Sequence, residues 1–468
     1  MATQRYPSYR DSGLPWLGKI PEHWDVRRNG RLFAERVETG FEELPILEVS
    51  LRTGVRVRDM ENGARKQQMA DRSKYKRAAK GDVAYNMMRM WQGAVGVAPV
   101  DGLISPAYVV ARPFPEVDPR FYTYLFRTSD YMREVNKFSR GIVSDRNRLY
   151  WDEFKQMPSA FPPTEEQTRI ADFLDDHGRR TTRLIRNKRR LIGLLNEQKQ
   201  AIINQAITRG LTPDAPMKPT GIDWMPEVPA HWEVKLFSRL ASKLQTGPFG
   251  SQLHQADYVE NGVPIINPMH LINGEIQPDN RTTVNAETAE RLSRHALSPG
   301  EIVIARRGEL GRCALVRDSD GSMLCGTGCM TLRLTEGVPR YFYEFLSSTS
   351  VRRFLDERSI GATMQNLNPS IISSIPAVFP PISEQEAIIQ EIDEANRTFA
   401  ALEGKAQDEI RLLLEYRERL IADVVTGKLD VRHIEIAAPA DEPVADEDDA
   451  LDEDLEAEDT DELAEVED

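Results

Sequence analysis

Cysteine is nearly missing from this 468-residue chain: Cys313, Cys325 and Cys329 are all there are, and none lies in the first half. Three thiols cannot build a disulfide framework, and with no CxxC pair they read as small buried side chains in a reducing compartment rather than as a zinc site. Long hydrophobic runs are also lacking. No stretch of 18 apolar residues occurs, and the opening MATQRYPSYR has no apolar segment of signal-peptide length, so the expected location is the cytoplasm.

Catalytic signatures are missing as well. There is no GxxxxGK[ST] phosphate loop, no HExxH zinc helix, no GxSxG elbow and no glycine-rich nucleotide loop between a strand and a helix. Asn267-Pro268-Met269-His270 loosely matches the Asn-Pro-Pro-aromatic motif of amino-methyltransferases, but it lacks the second proline and the stacking aromatic. The expectation is a chain with no catalytic residue, no metal and no cofactor of its own.

The formal net charge of −14 is unevenly placed. Residues 441–468 hold 17 Asp and Glu and no Lys or Arg, so the rest of the chain is mildly basic. A tail of that composition, without aromatics, is expected to be disordered and to serve solubility, with a DNA-mimicking or partner-binding arm as the alternative.

What the chain does have is a repeat. Trp16 to Val26 reads WLGKIPEHWDV and Trp224 to Val234 reads WMPEVPAHWEV. Further along, Gly81-Asp82-Val83 is answered by Gly300-Glu301-Ile302, and Pro119-Arg120-Phe121-Tyr122 by Pro339-Arg340-Tyr341-Phe342. Phe161-Pro162-Pro163 with Glu166-Gln167 is answered by Phe379-Pro380-Pro381 with Glu384-Gln385, and ITRGL (Ile207 to Leu211) by VTGKL (Val425 to Leu429). A match held in register over so many positions means duplication. The offset grows from 208 to about 218–220, so the second half gained about ten residues between roughly 240 and 300.

Short β-rich runs between Gly, Pro and Asp, then short amphipathic helices at about 119–137 and 339–357, predict an α+β globule of about 160 residues in each half. Each double proline stops the chain before a long helix, with Thr164 and Ser383 as candidate N-caps. The second helix places Ile392, Ala395, Phe399, Leu402, Ala406, Glu409, Leu413, Tyr416 and Leu420 on a coiled-coil seam. Shifting by 218 gives Leu174, His177, Thr181, Leu184, Lys188, Leu191, Leu195, Gln198 and Ile202. The first helix is net positive and the second net negative, which favours their pairing, packed antiparallel as a spacer. Gly178, Gly193 and Gly404 could instead break the rods and fold each back on its own globule.

Basic and amide-bearing loops point to nucleic acid. From Arg52 to Lys80 ten Lys or Arg face three acids, and Arg52, Arg56, Arg58, Arg65, Lys66, Arg72 and Lys74 are candidate DNA contacts. Arg89, Gln92, Arg146 and Asn147 join them in the first half. In the second half the candidates are Gln245, Ser251 and Gln252 around the loop TGPFGSQ, then Arg306 and Arg307 projecting from a strand end, then Gln365 and Asn366 in ATMQNLN. Arg, Asn and Gln suit bidentate reading of guanine and adenine edges.

The paired IPEHW and VPAHW, TGPFGSQL, GEIVIARRGELG, the paired PPTEEQ and PPISEQ, and LIADVVTGKLD resemble the specificity subunit of type I restriction-modification systems over almost the whole chain; only the acidic tail past about residue 436 departs. The resemblance implies two tandem α/β target recognition domains separated by a pair of long antiparallel coiled-coil helices, related by a pseudo-twofold. On this sequence the domains fall at 1–163 and 213–382, the helices at 164–212 and 383–430, and the disordered tail at 431–468. It implies a non-catalytic subunit that reads a bipartite asymmetric site in double-stranded DNA. The partners it implies are two methyltransferase subunits carrying S-adenosylmethionine and, for cleavage, a translocating nuclease subunit. Helix outer faces and the Trp16/His23/Trp24 and Trp224/His231/Trp232 segments are candidate partner surfaces, unless those aromatics simply anchor each domain's first strands. Two other classes remain open: an enzyme with an unrecognised nuclease or methyltransferase centre, and a coiled-coil scaffold with no DNA role.

Overall fold

The computed structural model describes residues 4–51, 53–58, 72–141, 147–249, 252–308, 311–359 and 367–436, with backbone alone for 356–359. The chain divides into two units, the first made of residues 1–186 and 410–468, the second of residues 187–409.

In the first unit the strands are β1 (Tyr9–Asp11), β2 (Lys19–Pro21), β3 (Asp25–Arg28), β4 (Phe33–Glu35), β5 (Leu47–Ser50), β6 (Gly54–Val57), β7 (Lys76–Ala78), β8 (Val83–Asn86), β9 (Val95–Val97), β10 (Gly102–Ile104) and β11 (Tyr108–Pro113). Helices α1 (Pro119–Phe126), α2 (Ser129–Phe138) and α3 (Trp151–Phe154), strand β12 (Pro158–Phe161) and the long helix α4 (Thr164–Arg209) follow. A four-stranded antiparallel sheet in the order β4-β11-β8-β9 forms the centre. Its core packs Phe33, Tyr85, Phe121, Tyr122, Phe126 and Phe154 together with Trp24.

The second unit repeats this frame. Its elements are β13 (Met217–Ile222), β14 (Met225–Pro229), β15 (Glu233–Leu236), α5 (Phe237–Leu240), β16 (Ala241–Thr246), β17 (Tyr258–Val259), β18 (Val263–Ile266), β19 (Leu271–Ile272), β20 (Glu275–Ile276), β21 (Thr283–Val284) and α6 (Ala286–Arg291). After these come β22 (Ile302–Ala305), β23 (Cys313–Leu315), β24 (Leu324–Cys325), β25 (Cys329–Leu334), α7 (Pro339–Ser347), α8 (Thr349–Ser359), α9 (Pro369–Ser373), β26 (Pro376–Phe379) and the long helix α10 (Ile382–Val425). The sheet order β16-β25-β22-β23 matches the first unit strand for strand, and β15–β26 matches β3–β12. This unit also carries a second sheet, β17-β21-β18-β24, and the hairpin β19–β20.

The repeated residues hold this frame together. Gly81 (φ +90°) and Gly300 (φ +81°) make left-handed turns that a side chain would strain. The acids after them, Asp82 and Glu301, are buried at the start of the central strands. Asp82 takes Arg36 Nε at 2.6 Å, and Glu301 takes Lys243 at 3.2 Å and Arg333 at 2.9 Å. Gln167 accepts from Asp118 N and donates to Pro162 O, and Gln385 does the same with Val338 N and Pro380 O. Each amide so ties the start of a long helix to the start of α1 or α7.

The Trp-His segments are anchors. Trp24 and Trp232 are fully buried, and His23 and His231 reach Glu166 and Glu384 at 2.7 and 2.8 Å. Each indole also receives the end of the other long helix. Gly210 (φ +75°), ending α4, lies against Trp232, and Gly427 (φ +76°), just past α10, lies against Trp24. A Cβ on Gly427 would come within 2.4 Å of Pro21.

Both long helices run unbroken through Gly178, Gly193 and Gly404, so no break occurs there. In the first unit the start of α4 meets the end of α10: His177 and Tyr416 make an edge contact at 5.6 Å. In the second unit the order is reversed, with Lys188 Nζ 2.5 Å from Glu409 Oε2, so the two helices run antiparallel. The expected seam is corrected past Thr181. Ile185 is buried while Leu184 and Leu191 are exposed, because α4 turns a neighbouring stripe inward there. On α10, Ile392, Ala395, Phe399, Ala406 and Leu420 are buried as the seam requires, whereas Leu402 and Tyr416 are exposed. No residue from 186 to 202 of α4, nor from 407 to 419 of α10, is buried.

Residues 431–436, placed in the tail on sequence grounds, belong to the first unit instead. Val431 is buried, Ile434 and Ile436 pack on the core, Arg169 donates to Ile434 O, and Arg432 lies 4.9 Å above the Tyr6 ring. The acidic residues 441–468 lie outside the described residues. Among the described residues no helix is long and apolar enough to cross a membrane.

Candidate nucleic-acid interface

The central strands β8 and β22 deliver the chain into equivalent loops. Each loop is pegged by the same long-range bond: Leu149 N donates to Met87 O at 2.9 Å, and Leu367 N donates to Arg306 O at 3.0 Å.

In the second unit, loops far apart in sequence meet at Arg306. Its Nε donates to Leu367 O at 3.0 Å, its guanidinium sits 5.1 Å over the Phe249 ring, and its own N–H bonds Gly328 O. The loops around residues 247–249, 306–308, 326–328 and 367 therefore form one surface. Close backbone approach makes this possible: a Cβ on Gly247 would come within 2.0 Å of Gly326 O. Asn267-Pro268 joins from below, with Pro268 against Gly328.

Arg306 does not project from the strand end as expected. It is buried, and burial lowers its guanidinium from the usual value, so it acts as the peg between loops; Arg307, next to it, is exposed. Gln245 is half-buried against His295 Nδ1 at 3.3 Å, and Gln252 turns its amide oxygen back to Phe249 N while its carbonyl accepts from Arg291 at 2.7 Å. Ser251, Gln365 and Asn366 lie outside the described residues.

Two exposed apolar side chains on this surface were not among the candidates: Phe249, half exposed, and Met269, 65% exposed. An apolar residue inside a glycine- and proline-shaped loop was the available signal. The turn beneath Met269 is internally satisfied. Asn267 N donates to His270 Nδ1 at 3.1 Å, and His270 Nε2 lies 3.2 Å from Asp279, whose carboxyl is held well below its usual range by the backbone N–H groups of Thr282 and Arg281. Burial pushes the thiols of Cys313 and Cys325 up to about 11, which keeps them neutral and unreactive.

In the first unit the basic candidates stand on the hairpin β5–β6. Arg56 and Arg58 flank one carboxylate, Glu48, at 2.7 and 3.8 Å. Gly96 and Gly102 let the hairpin lie on the sheet, since a Cβ on either would meet Val55 N at 2.3 Å or Leu47 at 2.5 Å. Arg72 and Lys74 are exposed on a single helical turn. Lys76 is spent on Tyr108 O and Arg77 on Glu38 and Asp101, so part of the basic run is internal. After β8, Arg89 is half-buried, Gln92 is exposed, and Asn147 donates to Asn136 Oδ1 at 2.9 Å. Arg52, Arg65, Lys66 and Arg146 lie outside the described residues.

Comparison with known proteins agrees with this division. The family model described as type I restriction modification DNA specificity domain matches twice, over residues 46–193 and 243–412. The chain is 19% identical over 273 residues to the type I restriction enzyme EcoBI specificity subunit of Escherichia coli, covering 57% of each. It is 25% identical over 181 residues to the StySPI specificity subunit of Salmonella potsdam, covering 37% of each. These alignments span about half the length of the curated relatives or less. In fold it is similar to a chain from a structural study of complex assembly and conformational transition of the type I R-M system (TM-score 0.63, 16% identity, 87% of this chain and 98% of that one). It is also similar in fold to the HsdS subunit from Thermoanaerobacter tengcongensis (TM-score 0.51, 15% identity, 88% of this chain and 98% of that one). With the family model matched over most of its length and once in each half, the chain belongs to the type I restriction modification DNA specificity family.

Proposed function

We propose that this chain is the DNA-reading, non-catalytic subunit of a type I restriction-modification assembly, and that it recognises a bipartite site in double-stranded DNA, one half-site per unit. The supporting observation is the pairing of one frame with two different loop sets. The same central strand, pegged by the same Leu149 or Leu367 N–H, ends in Met87 to Gln92 in one unit and in Arg306 to Gly308 in the other. Different side chains at equivalent places read different half-sites, and the gap between them is left unread.

The long antiparallel helices would set that gap. Their exposed apolar residues, among them Leu184, Leu191, Leu194, Leu402 and Leu412, offer surfaces for two methyltransferase subunits. S-adenosylmethionine would then reside on those subunits and none on this chain, and a translocating nuclease subunit would join for cleavage. A cytoplasmic location follows from access to the chromosome.

Methylome sequencing of the host with and without this chain tests the reading: a bipartite methylated adenine motif should vanish on deletion, and an unchanged methylome would overturn it. Inserting four residues in each long helix, about 6 Å of rise, should lengthen the unread gap by about two base pairs.

A further inference from the structure

On the loop surface of the second unit Phe249 and Met269 are 50% and 65% exposed, in a fold that buries most of its large apolar side chains. The backbone that carries them is firmly held. Pro248 is buried, Gly247 N donates to Cys329 O at 3.1 Å, and Gln252 N closes a turn on Phe249 O at 2.9 Å. The Arg306 guanidinium, itself pegged to Leu367 O at 3.0 Å, lies 5.1 Å from the centre of the Phe249 ring. Met269 occupies a single turn, Pro268–His270, in which Pro268 lies against Gly328 and His270 is buried.

The loop at 326–328 joins these two turns. A Cβ on Gly326 would come within 2.4 Å of Asn267 Oδ1, and one on Gly247 within 2.0 Å of Gly326 O. A backbone packed so closely is ordered before any partner arrives, so a contact made here loses little conformational freedom.

The surroundings suit a polyanion. Residues 247–249, 267–269, 306–308 and 326–328 include no acid, and Arg307 is exposed among them. Asp279, from beneath the turn of Met269, is taken by His270 and by the N–H groups of Arg281 and Thr282. Apolar side chains on a surface of that charge match one feature of duplex DNA. In the major groove the thymine C5-methyl is the apolar group among base edges that otherwise present donors and acceptors. Wedging between base pairs would need both ring faces free, and the Arg306 guanidinium covers one face of Phe249.

We propose that Phe249 and Met269 are specificity-determining residues that read thymine through its C5-methyl group, so that the half-site of the second unit carries A·T pairs where they touch it. The inference rests on the DNA-reading role proposed above and names what this surface reads.

The methylated motif of the host supplies the duplex for the test. Replacing each thymine of the motif in turn by deoxyuridine removes one methyl and no hydrogen-bonding group. Fluorescence anisotropy with the full chain should show about fourfold weaker binding at a thymine contacted in this way. Phe249→Ala or Met269→Ala should remove that sensitivity, in one half-site only, and Phe249→Leu, which stays apolar, should keep it. Both side chains are exposed, so these substitutions leave the core intact. Tolerance of deoxyuridine at every position by the unaltered chain overturns the proposal without any variant. Sensitivity that persists in both alanine variants overturns it too, as does equal weakening of all duplexes by Phe249→Ala, the mark of a sequence-independent wedge. A host methylome with no bipartite motif would instead overturn the DNA-reading role itself, and this inference with it.

Discussion

Glu166 in the first unit accepts from Tyr6 Oη at 2.6 Å and Trp24 Nε1 at 3.1 Å and lies 2.7 Å from His23 Nε2. Its counterpart Glu384 meets His231 at 2.8 Å, while Trp232 Nε1 finds no acceptor among the described residues. The two halves thus keep the same residues at the same joint and satisfy them to different degrees. The first gains its extra partners from residues 4–9, and from the segment after α10 that pairs Asp430 with Gln4. Duplication preserved the frame, and what distinguishes the copies is how each frame is closed and which loops it carries.

The largest test of this asymmetry is Glu166→Ala against Glu384→Ala. The first should cost about 3 kcal/mol, because it orphans a buried hydroxyl and a buried indole N–H, and the second about 1 kcal/mol or less. Urea denaturation followed by tryptophan fluorescence measures both, and equal losses would erase the distinction. Truncation comes next. Ending the chain at Ile436 should change neither stability nor DNA recognition. Ending it at Val425 should cost the first unit about 2 kcal/mol through loss of the buried Val431 and its neighbours, read as a lower melting temperature.

Arg306→Met, which installs the residue found at the equivalent place in the first unit, should cost about 1–2 kcal/mol by releasing the Leu367 carbonyl. Arg307→Ala should leave stability unchanged and weaken duplex binding about tenfold at low salt, measured by fluorescence anisotropy. The smallest effect is a pH dependence shared by both units. Burial lowers the titration of His177 in the first and His295 in the second from the ordinary 6.5. Each fold therefore favours neutral imidazole, while the unfolded chain takes up a proton near 6.5, so stability is full above that pH and declines as it falls below. Urea midpoints at pH 7.5 and 5.5 should differ slightly, and His177→Gln should reduce the difference in the first unit alone.

Much of this frame was legible in the sequence, because it rests on local rules. Pro162-Pro163 and Pro380-Pro381 stop the chain, and α4 and α10 begin at Thr164 and Ile382, within a residue of the expected caps. The turn glycines Gly81 and Gly300 could be located by pattern alone. The reading surface was legible only in part. Leu367, which receives Arg306 Nε, is 61 residues away, so no local pattern distinguishes that arginine from the exposed Arg307 beside it. The seam shift past Thr181 has a similar cause: Leu184 and Ile185 suit a buried stripe equally, and only tertiary packing selects between them. The tail boundary was misplaced because Val431, Ile434 and Ile436 are too few and too scattered to signal a docked strap.

Helices ordinarily fray from their tips, yet here the tips are bolted, by Glu166 and Gln167 at one end of α4 and by the Gly210–Trp232 contact at the other. The bare stretches lie in the middle, from 186 to 202 and from 407 to 419. Amide hydrogens should therefore exchange with deuterium fastest at mid-rod and slowest at the ends, an inverted protection profile that a docked partner helix would flatten.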